Sequence, residues 1–305
     1  MRYRNFRRIV TVMTMLLVLS TVACTAGVEL TVWLTDFNPD VQEMMTTTIV
    51  PAFESTYPGT KVDMQYVSWG DFDSKLITAF AAGVAPDIFQ PGAEWRGQIA
   101  EQGLARPIDD FVERWQATRD YFPGAWGAVV WKGRTYGIPY LTAPRTFWYR
   151  ADLFAEMGLD YDTPPVTWDE MMDIMPKLTT VDSEGSVVRA AAAIPASDFQ
   201  FWLPLLWQAG GAFVSEDSNE PLFESPAGVE ASTYYLDLYE RSRSFGAMPS
   251  GDIISGGYAM QYGNASFVRN ALNSNPEVAA SIWAAPPMKH RKQVTATYTD
   301  WLPIS

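Results

Sequence analysis

Apolar and polar residues alternate from Glu29 to Leu34, the two-residue period of a strand with one buried face. The polar, proline-interrupted stretch Thr35 to Asp40 follows as a loop. From Val41 to Phe53 the period changes: Val41, Met44, Met45, Ile49, Ala52 and Phe53 recur at helical spacing until Tyr57-Pro58-Gly59 stops the pattern. Lys61 to Val67 predicts a second strand. Asp71 is placed to cap the next helix, which carries Phe72, Leu76, Ile77 and Phe80 as a stripe and closes near Gly83. Pro86-Asp87-Ile88-Phe89 opens a third strand. This β-α-β-α-β order implies a parallel sheet with right-handed crossovers, and such sheets bind ligands beyond the carboxyl ends of their strands. Three loops therefore matter most: 35–40, 68–71 and 90–95.

A second α/β half begins after Gly137-Ile138-Pro139-Tyr140, with a strand over Phe147 to Arg150. Thr167-Trp168-Asp169-Glu170 is a capping-box pattern opening a helix towards Leu178, which Pro176 limits or kinks. Phe199 to Ala209 is a further helix, ended by Gly210-Gly211. Pro226 to Tyr239 is another, with Val229, Tyr235, Leu236 and Leu238 as its core contacts. No fixed-period repeat, low-complexity tract or long linker interrupts these elements.

The first residues differ in kind. Arg2, Arg4, Arg7 and Arg8 precede an apolar run from Ile9 to Leu19 that ends in small residues, which is the layout of an export leader over 1–23. The run is shorter than the roughly 20 apolar residues a membrane-spanning helix needs. Cys24, the only cysteine, directly follows Thr21-Val22-Ala23. This resembles a bacterial lipobox with Thr21 where leucine is usual, so Cys24 is the expected lipidation site; the alternative is an ordinary leader with an incidental cysteine. The formal net charge is −13, and all four leader arginines leave with the leader, making the remainder more acidic still. Such a surface repels nucleic acid and anionic headgroups. About 280 remaining residues fit two domains better than one core, and 12 Trp, 14 Tyr and 16 Phe exclude a disordered chain.

The stretches Leu30-Thr-Val-Trp-Leu34, Ala79-Phe-Ala-Ala-Gly-Val-Ala-Pro-Asp-Ile88, Tyr136-Gly-Ile-Pro-Tyr140, Trp148-Tyr-Arg-Ala-Asp-Leu-Phe154, Thr167-Trp-Asp-Glu170 and Leu206-Trp-Gln-Ala-Gly-Gly211 occur in an order and spacing that resembles the family 1 extracellular solute-binding proteins. The resemblance implies an α/β fold of the type II periplasmic-binding class, in which two α/β lobes joined by hinge strands hold a ligand in the cleft between them. It places lobe 1 at 24–140, lobe 2 at 141–287 and a return to lobe 1 at 288–305. The crossings then fall near Pro139 to Arg145 and Ile282 to Pro287. The family pattern continues beyond the segment that Thr299 to Ser305 resembles, so the chain is expected to lack the family's C-terminal helices. The implied function is that of a sugar or oligosaccharide receptor serving an ABC importer at the periplasm or the outer face of the cell membrane. The expected partners are a carbohydrate, the permease subunits and, through a lipid anchor only, the membrane. The protein is expected to be a monomer.

Sugars pack their C–H faces on aromatic rings and demand hydrogen-bond partners for every desolvated hydroxyl. The three loops supply Asp36, Trp69, Asp71, Gln90, Glu94 and Trp95, which is the chemistry required. In the family's maltose-binding members the loop after the third strand carries a carboxylate, which aligns with Glu94, and an aromatic, which aligns with Pro91; Trp95 is the expected replacement. Tyr140 and Arg145 lie at the first crossing. By the same resemblance Asn264, Phe267, Asp300 and Trp301 are candidates, and Trp207 or Trp202 is placed to line the mouth. Packing roles are expected for Trp33, Trp115, Trp126 and Trp168, and Asp71 serves equally as a helix cap.

Other chemistry is sparse. His290, the only histidine, lies in a basic patch with Lys289, Arg291 and Lys292 and reads as a surface residue. Neither a zinc ligand set nor a phosphate-binding glycine loop occurs, so no metal, cofactor or nucleotide hydrolysis is expected of this chain. Asn264-Ala265-Ser266 matches a glycosylation sequon by chance. The rival readings are a secreted glycoside hydrolase, which also combines rings with paired carboxylates, and an adhesive surface lipoprotein.

Overall fold

The computed structural model describes residues 27–35, 39–215, 220–242 and 251–305. Contacts divide the chain into two units. The first runs to Tyr140 and resumes over Asp300–Ser305, and the second spans Leu141–Thr299.

In the first unit, β1 (Val28–Thr35) lies between β2 (Thr60–Val67) and β3 (Ile88–Phe89), parallel to both. Burial deepens along β1 until Val32 to Thr35 are all inside. The helix Trp69–Ala82 covers this sheet with Phe72, Leu76 and Ala79. Ile77, expected in that stripe, is 47 % exposed, because it lies one position, or about 100°, beyond Leu76 on the helix. The cap also differs from expectation. Ser68 is the N-cap, its hydroxyl accepting from the Asp71 amide and donating to the Asp71 carboxylate. The earlier helical stretch is split into Pro39–Met44, a π-turn over Met45–Ile49, and Val50–Thr56, with no buried residue in any piece. A π-turn adds a residue to the turn, which rotates Phe53 off the face that Met44 begins.

The hairpin of β4 (Val130–Trp131) and β5 (Arg134–Thr135) precedes β6 (Gly137–Pro144), in which the chain leaves the first unit. Trp126 packs against the unit's core as expected, whereas Trp115 is 40 % exposed and touches Tyr121 edge-on.

The second unit holds a five-stranded mixed sheet. It is built from β7 (Thr146–Arg150), β8 (Thr180–Val181), β9 (Val187–Ala193), β10 (Tyr258–Gly263) and β11 (Ile282–Ala284), in the spatial order β11-β7-β10-β9-β8. Only β9 and β10 run parallel. Its core gathers Phe147, Phe154, Met171, Met175, Phe201, Leu205 and Met260. Thr167 and Glu170 form the reciprocal capping box, and the helix Trp168–Leu178 carries Pro176 in its last turn. Helix Pro226–Arg241 buries Gly228, Ala231, Tyr234 and Leu238, while Val229 and Leu236, expected inside, are 67 % and 63 % exposed. Glycine is required at 228 because the Phe223 carbonyl lies 1.8 Å from where a Cβ there would sit.

His290 is exposed, as expected, and packs flat against an aromatic. Its ring stacks on Trp168 at 4.4 Å while Tyr234 stacks on Trp168 at 4.0 Å, and its Nε2 lies 2.9 Å from Glu230. The return to the first unit also comes later than the expected 287/288 boundary. Residues 288–299 are tied to the second unit by Lys289 N donating to Val166 O (2.7 Å), Arg291 N donating to Gln208 O (2.9 Å) and Gln208 Nε2 donating to Val294 O (2.9 Å). The chain then re-enters the first unit in β12 (Thr297–Pro303), which pairs with β6.

Phe154 is fully buried with its ring 4.9 Å from Tyr149. Phe154→Ala is expected to lower unfolding free energy by about 3–5 kcal/mol, read as a shift in the urea midpoint by circular dichroism. Ile77→Ala should stay within about 0.5 kcal/mol of the parent.

Candidate functional site

The three strands of the first unit end together, and a buried amide organises that end. Gln90 follows β3 and has no exposed surface. Its Oε1 accepts from the Thr35 amide at the end of β1 (3.2 Å), and its Nε2 donates to Asp300 Oδ2 (3.0 Å). Asp300 lies in β12, and its backbone bridges Gly92 in antiparallel fashion. The absence of a side chain at Gly92 is what admits Glu94. A Cβ there would sit 2.4 Å from both Glu94 carboxylate oxygens, so the carboxylate folds back over the residue that pairs with Asp300. Trp301 Nε1 donates to Gly92 O (3.1 Å) and fixes the same turn from the core side.

Electrostatics follow from that geometry. Burial pushes the Asp300 carboxyl up to about 6, with Glu94 adding to the rise and the Gln90 hydrogen bond opposing it. Burial also raises the Tyr140 hydroxyl, helped by neighbouring Tyr66 and Asp300. The Tyr66 hydroxyl is itself buried without a hydrogen-bond partner among the described residues, and a buried donor in that condition is the kind a bound polar group would satisfy. Half-buried Trp95 hydrogen-bonds Asp73, whose carboxyl is raised by burial. Trp69, four residues before Asp73 on the same helix, is 47 % exposed.

The second unit has a smaller polar cluster of its own. Arg145 donates its backbone N–H to Ala296 O (3.0 Å), and its carbonyl accepts from Thr295 Oγ1. Its guanidinium lies 5.2 Å from the Tyr298 ring centroid, with Nε buried and unpaired. Burial drives the Tyr262 hydroxyl above its ordinary range, beside Thr295, Tyr298, Arg145 and Asp198.

Of the residues proposed from sequence, Gln90, Glu94, Tyr140 and Asp300 meet in one cluster, with Trp95 on the same turn as Glu94. Asp71 is engaged by Ser68, and Trp301 is wholly buried in the first unit's core, presenting no face to solvent. Asn264 Oδ1 accepts from the Ser266 amide and hydroxyl, which turns the chain into the helix Ser266–Ser274. Trp207 is half-buried on the helix Phe199–Gln208, and the Trp202 indole donates to Ser232 (3.0 Å). Asp36, Cys24 and the Phe267 side chain lie outside the described residues.

Sequence reasoning missed Tyr66, Asp73, Tyr262 and Tyr298. Tyr66 is the penultimate residue of β2, so a search that included strand ends would have reached it. Asp73 shares a helix face with Trp69 through i, i+4 spacing. Among the described residues no group of three or more His, Cys, Asp or Glu is placed to hold a metal ion, and no helix is long and apolar enough to cross a membrane.

Comparison with known proteins gives a consistent picture. The model of the family described as bacterial extracellular solute-binding protein matches residues 36–295. An ABC transporter solute-binding protein from Thermotoga lettingae, solved with α-D-tagatose, superposes with a TM-score of 0.78 at 25 % identity, covering 91 % of this chain and 72 % of that one. The sugar-binding protein MalE of Xanthomonas citri superposes with a TM-score of 0.73 at 26 % identity, covering 90 % and 70 %. A maltotriose-binding protein of Pyrococcus abyssi is 25 % identical over 58 % of this chain and 36 % of its own length. The chain spans less than half the length of the curated relatives it matches.

The raised carboxyl makes a prediction about stability. Asp300 has a folded value of about 6 against about 3.9 in an unfolded chain, so between those values the folded state binds more protons. Stability contributed by this group is present below about pH 4 and is lost as pH rises through about 6. Asp300→Asn should remove that fall, giving a smaller loss of urea stability from pH 4.5 to 7.5 than the parent shows.

Proposed function

This chain belongs to the bacterial extracellular solute-binding protein family and has the type II periplasmic-binding fold, and we propose that it acts as the extracytoplasmic receptor of an ABC importer whose solute is a sugar or oligosaccharide. The observation that carries the sugar is the meeting of rings and acids at the strand ends of the first unit. Tyr140 adjoins both Tyr66 and Asp300, Asp300 adjoins Glu94, and Trp95 leads on to Asp73. On this reading Trp95 and exposed Trp69 stack on C–H faces, while Glu94, Asp300, Asp73 and the unpaired Tyr66 hydroxyl take hydroxyl groups. Arg145, Tyr262 and Tyr298 offer rings with a cation in the second unit. Asn264, Trp207 and Phe267 are further candidates there.

A solute that binds one conformer more tightly shifts the population towards it, and that conformer is the one a permease would engage. Nucleotide hydrolysis then belongs to the importer. Cys24, behind its leader, is the proposed lipid anchor at the outer face of the membrane, the chain's one attachment to lipid. The proposed state is a monomer.

One observation favours a second reading. A carboxyl raised to about 6 beside another carboxylate is also the acid and base pair of a glycoside hydrolase. Family membership weighs against it, since the matched relatives and solved structures are named as binding proteins. Calorimetry against a panel of neutral mono- and oligosaccharides, with chromatography of the mixtures, separates the two. Saturable binding without products is expected, and cleavage would replace the receptor by the hydrolase. Trp69→Ala should weaken affinity about ten-fold, or about 1.4 kcal/mol, while leaving the melting temperature within about 2 °C. Unchanged affinity would remove Trp69 from the site.

A further inference from the structure

We propose that Glu94 and Asp300 form a charge filter: the site in the first unit takes uncharged or amino sugars and turns away sugar phosphates and uronic acids. This inference deepens the sugar-receptor reading and rests on it.

Three features of the backbone put the two carboxyl groups together. Asp300 bridges Gly92 across the strand pair, Gly92 has no side chain to obstruct the space, and Glu94 folds its carboxylate over that glycine. Gln90, fully buried, orients Asp300 by donating to Oδ2 and cannot neutralise it. Among the described residues the other Asp300 oxygen and both Glu94 oxygens therefore remain as acceptors without charge compensation. The groups acting on Asp300 are Gln90, Glu94 and neighbouring Tyr140, none of them cationic. Two basic side chains of the flanking helices make contacts of their own, and no ion pair to Glu94 or Asp300 occurs among the described residues. Lys75 lies 4.2 Å from the Trp33 ring centroid, and Arg96 donates to Gly127 O (2.6 Å) and stacks over Trp131.

Coulomb repulsion grows as the dielectric falls, so partly buried Asp300 discriminates by charge more strongly than exposed Glu94 beside it. A phosphate or uronate entering this corner brings a further negative charge against two uncompensated carboxyl groups. A hydroxyl donates to them, and an ammonium both donates and relieves their mutual repulsion. The Tyr66 hydroxyl, buried without a partner among the described residues and beside Tyr140, supplies the complementary donor or acceptor for a polar but uncharged guest.

The test is calorimetry at pH 7.5 with glucose, galactose, mannose, maltotriose and mannotriose, alongside the 2-amino, uronate and 6-phosphate forms of the three hexoses and the trigalacturonate oligomer. The parent protein is expected to bind at least one neutral probe, its amino counterpart at least as tightly, and acidic counterparts about ten-fold or more weakly. In Glu94→Gln/Asp300→Asn the gap between neutral and acidic probes should shrink to about three-fold, whatever the loss in overall affinity. Acidic probes bound as tightly as neutral ones by the parent, or a gap unchanged in the double variant, would overturn the filter while leaving the sugar reading intact. If no probe binds at all, the sugar reading itself falls. A ligand-free arm reports on the pair alone: the Asp300 carboxyl carbon, followed by nuclear magnetic resonance, should titrate at lower pH in Glu94→Gln than in the parent. An unmoved midpoint would show that the two groups do not act as a pair.

Discussion

A primary amide can accept through its oxygen and donate through its nitrogen at once, and when it is buried both ends must be satisfied. Each unit of this protein is organised around one such amide. In the first, Gln90 takes the orphan N–H at the end of β1 and fixes Asp300 in the segment that returns from the second unit. In the second, Gln208 is 2 % exposed; its Oε1 accepts from the Trp168 indole (2.7 Å) and its Nε2 donates to Val294 O. Its carbonyl further accepts from the amides of Arg291 and Lys292. In both cases a residue late in the chain is held against an element formed much earlier. Losing either glutamine would leave several buried polar groups unpaired, which costs more than the lost bonds themselves.

This explains where the chain changes units. Apolar contact alone does not specify which residues of 282–305 belong to which core, because the segment has short apolar runs throughout. The hydrogen bonds to Gln208, and the stacking of His290 on Trp168, hold 288–299 with the second unit. Trp301, with no exposed surface and its indole bonded to Gly92, commits the remainder to the first. Gly137 is the matching accommodation on β6, since a Cβ there would come within 2.6 Å of the Trp301 ring.

What was legible in the sequence follows the physics of each signal. The alternation at Glu29 to Leu34, the Phe72–Leu76 stripe closing near Gly83 and the Thr167 capping box were readable because the period and that capping pattern are local properties, whereas the cap expected at Asp71 is provided by Ser68. The core stripe of Pro226–Arg241 was misassigned because hydrophobicity ranks Val229 and Leu236 above Gly228 and Ala231, whereas burial follows the 228–231–234–238 face and the close approach of Phe223 requires glycine at 228. The π-turn at Met45–Ile49 leaves no composition signal, and it breaks a stripe that looks continuous on paper. In the site, loop position and the family resemblance pointed to Gln90, Glu94, Tyr140 and Asp300, but not to what each touches. Gln90 reads in sequence as a ligand contact and is in the structure wholly buried, a support for Asp300. The same reasoning placed Trp301 at the ligand, although its burial makes it part of the floor beneath Gly92.

Asp300 also shows why such a site is hard to read from composition. A carboxyl that is buried, bonded by a neutral amide and facing another acid is destabilising to the fold at neutral pH, and a chain under no further constraint would replace it with asparagine. Residues that oppose stability in this way concentrate where binding or chemistry needs them. Neither the glycine that lets Glu94 approach nor the glutamine that orients Asp300 carries charge, so nothing in a count of acids distinguishes these two from the other 33 of the 35 in the chain. Their meaning comes from the antiparallel bridge between Gly92 and Asp300, which joins residues more than 200 positions apart and brings two acids to one corner of the first unit.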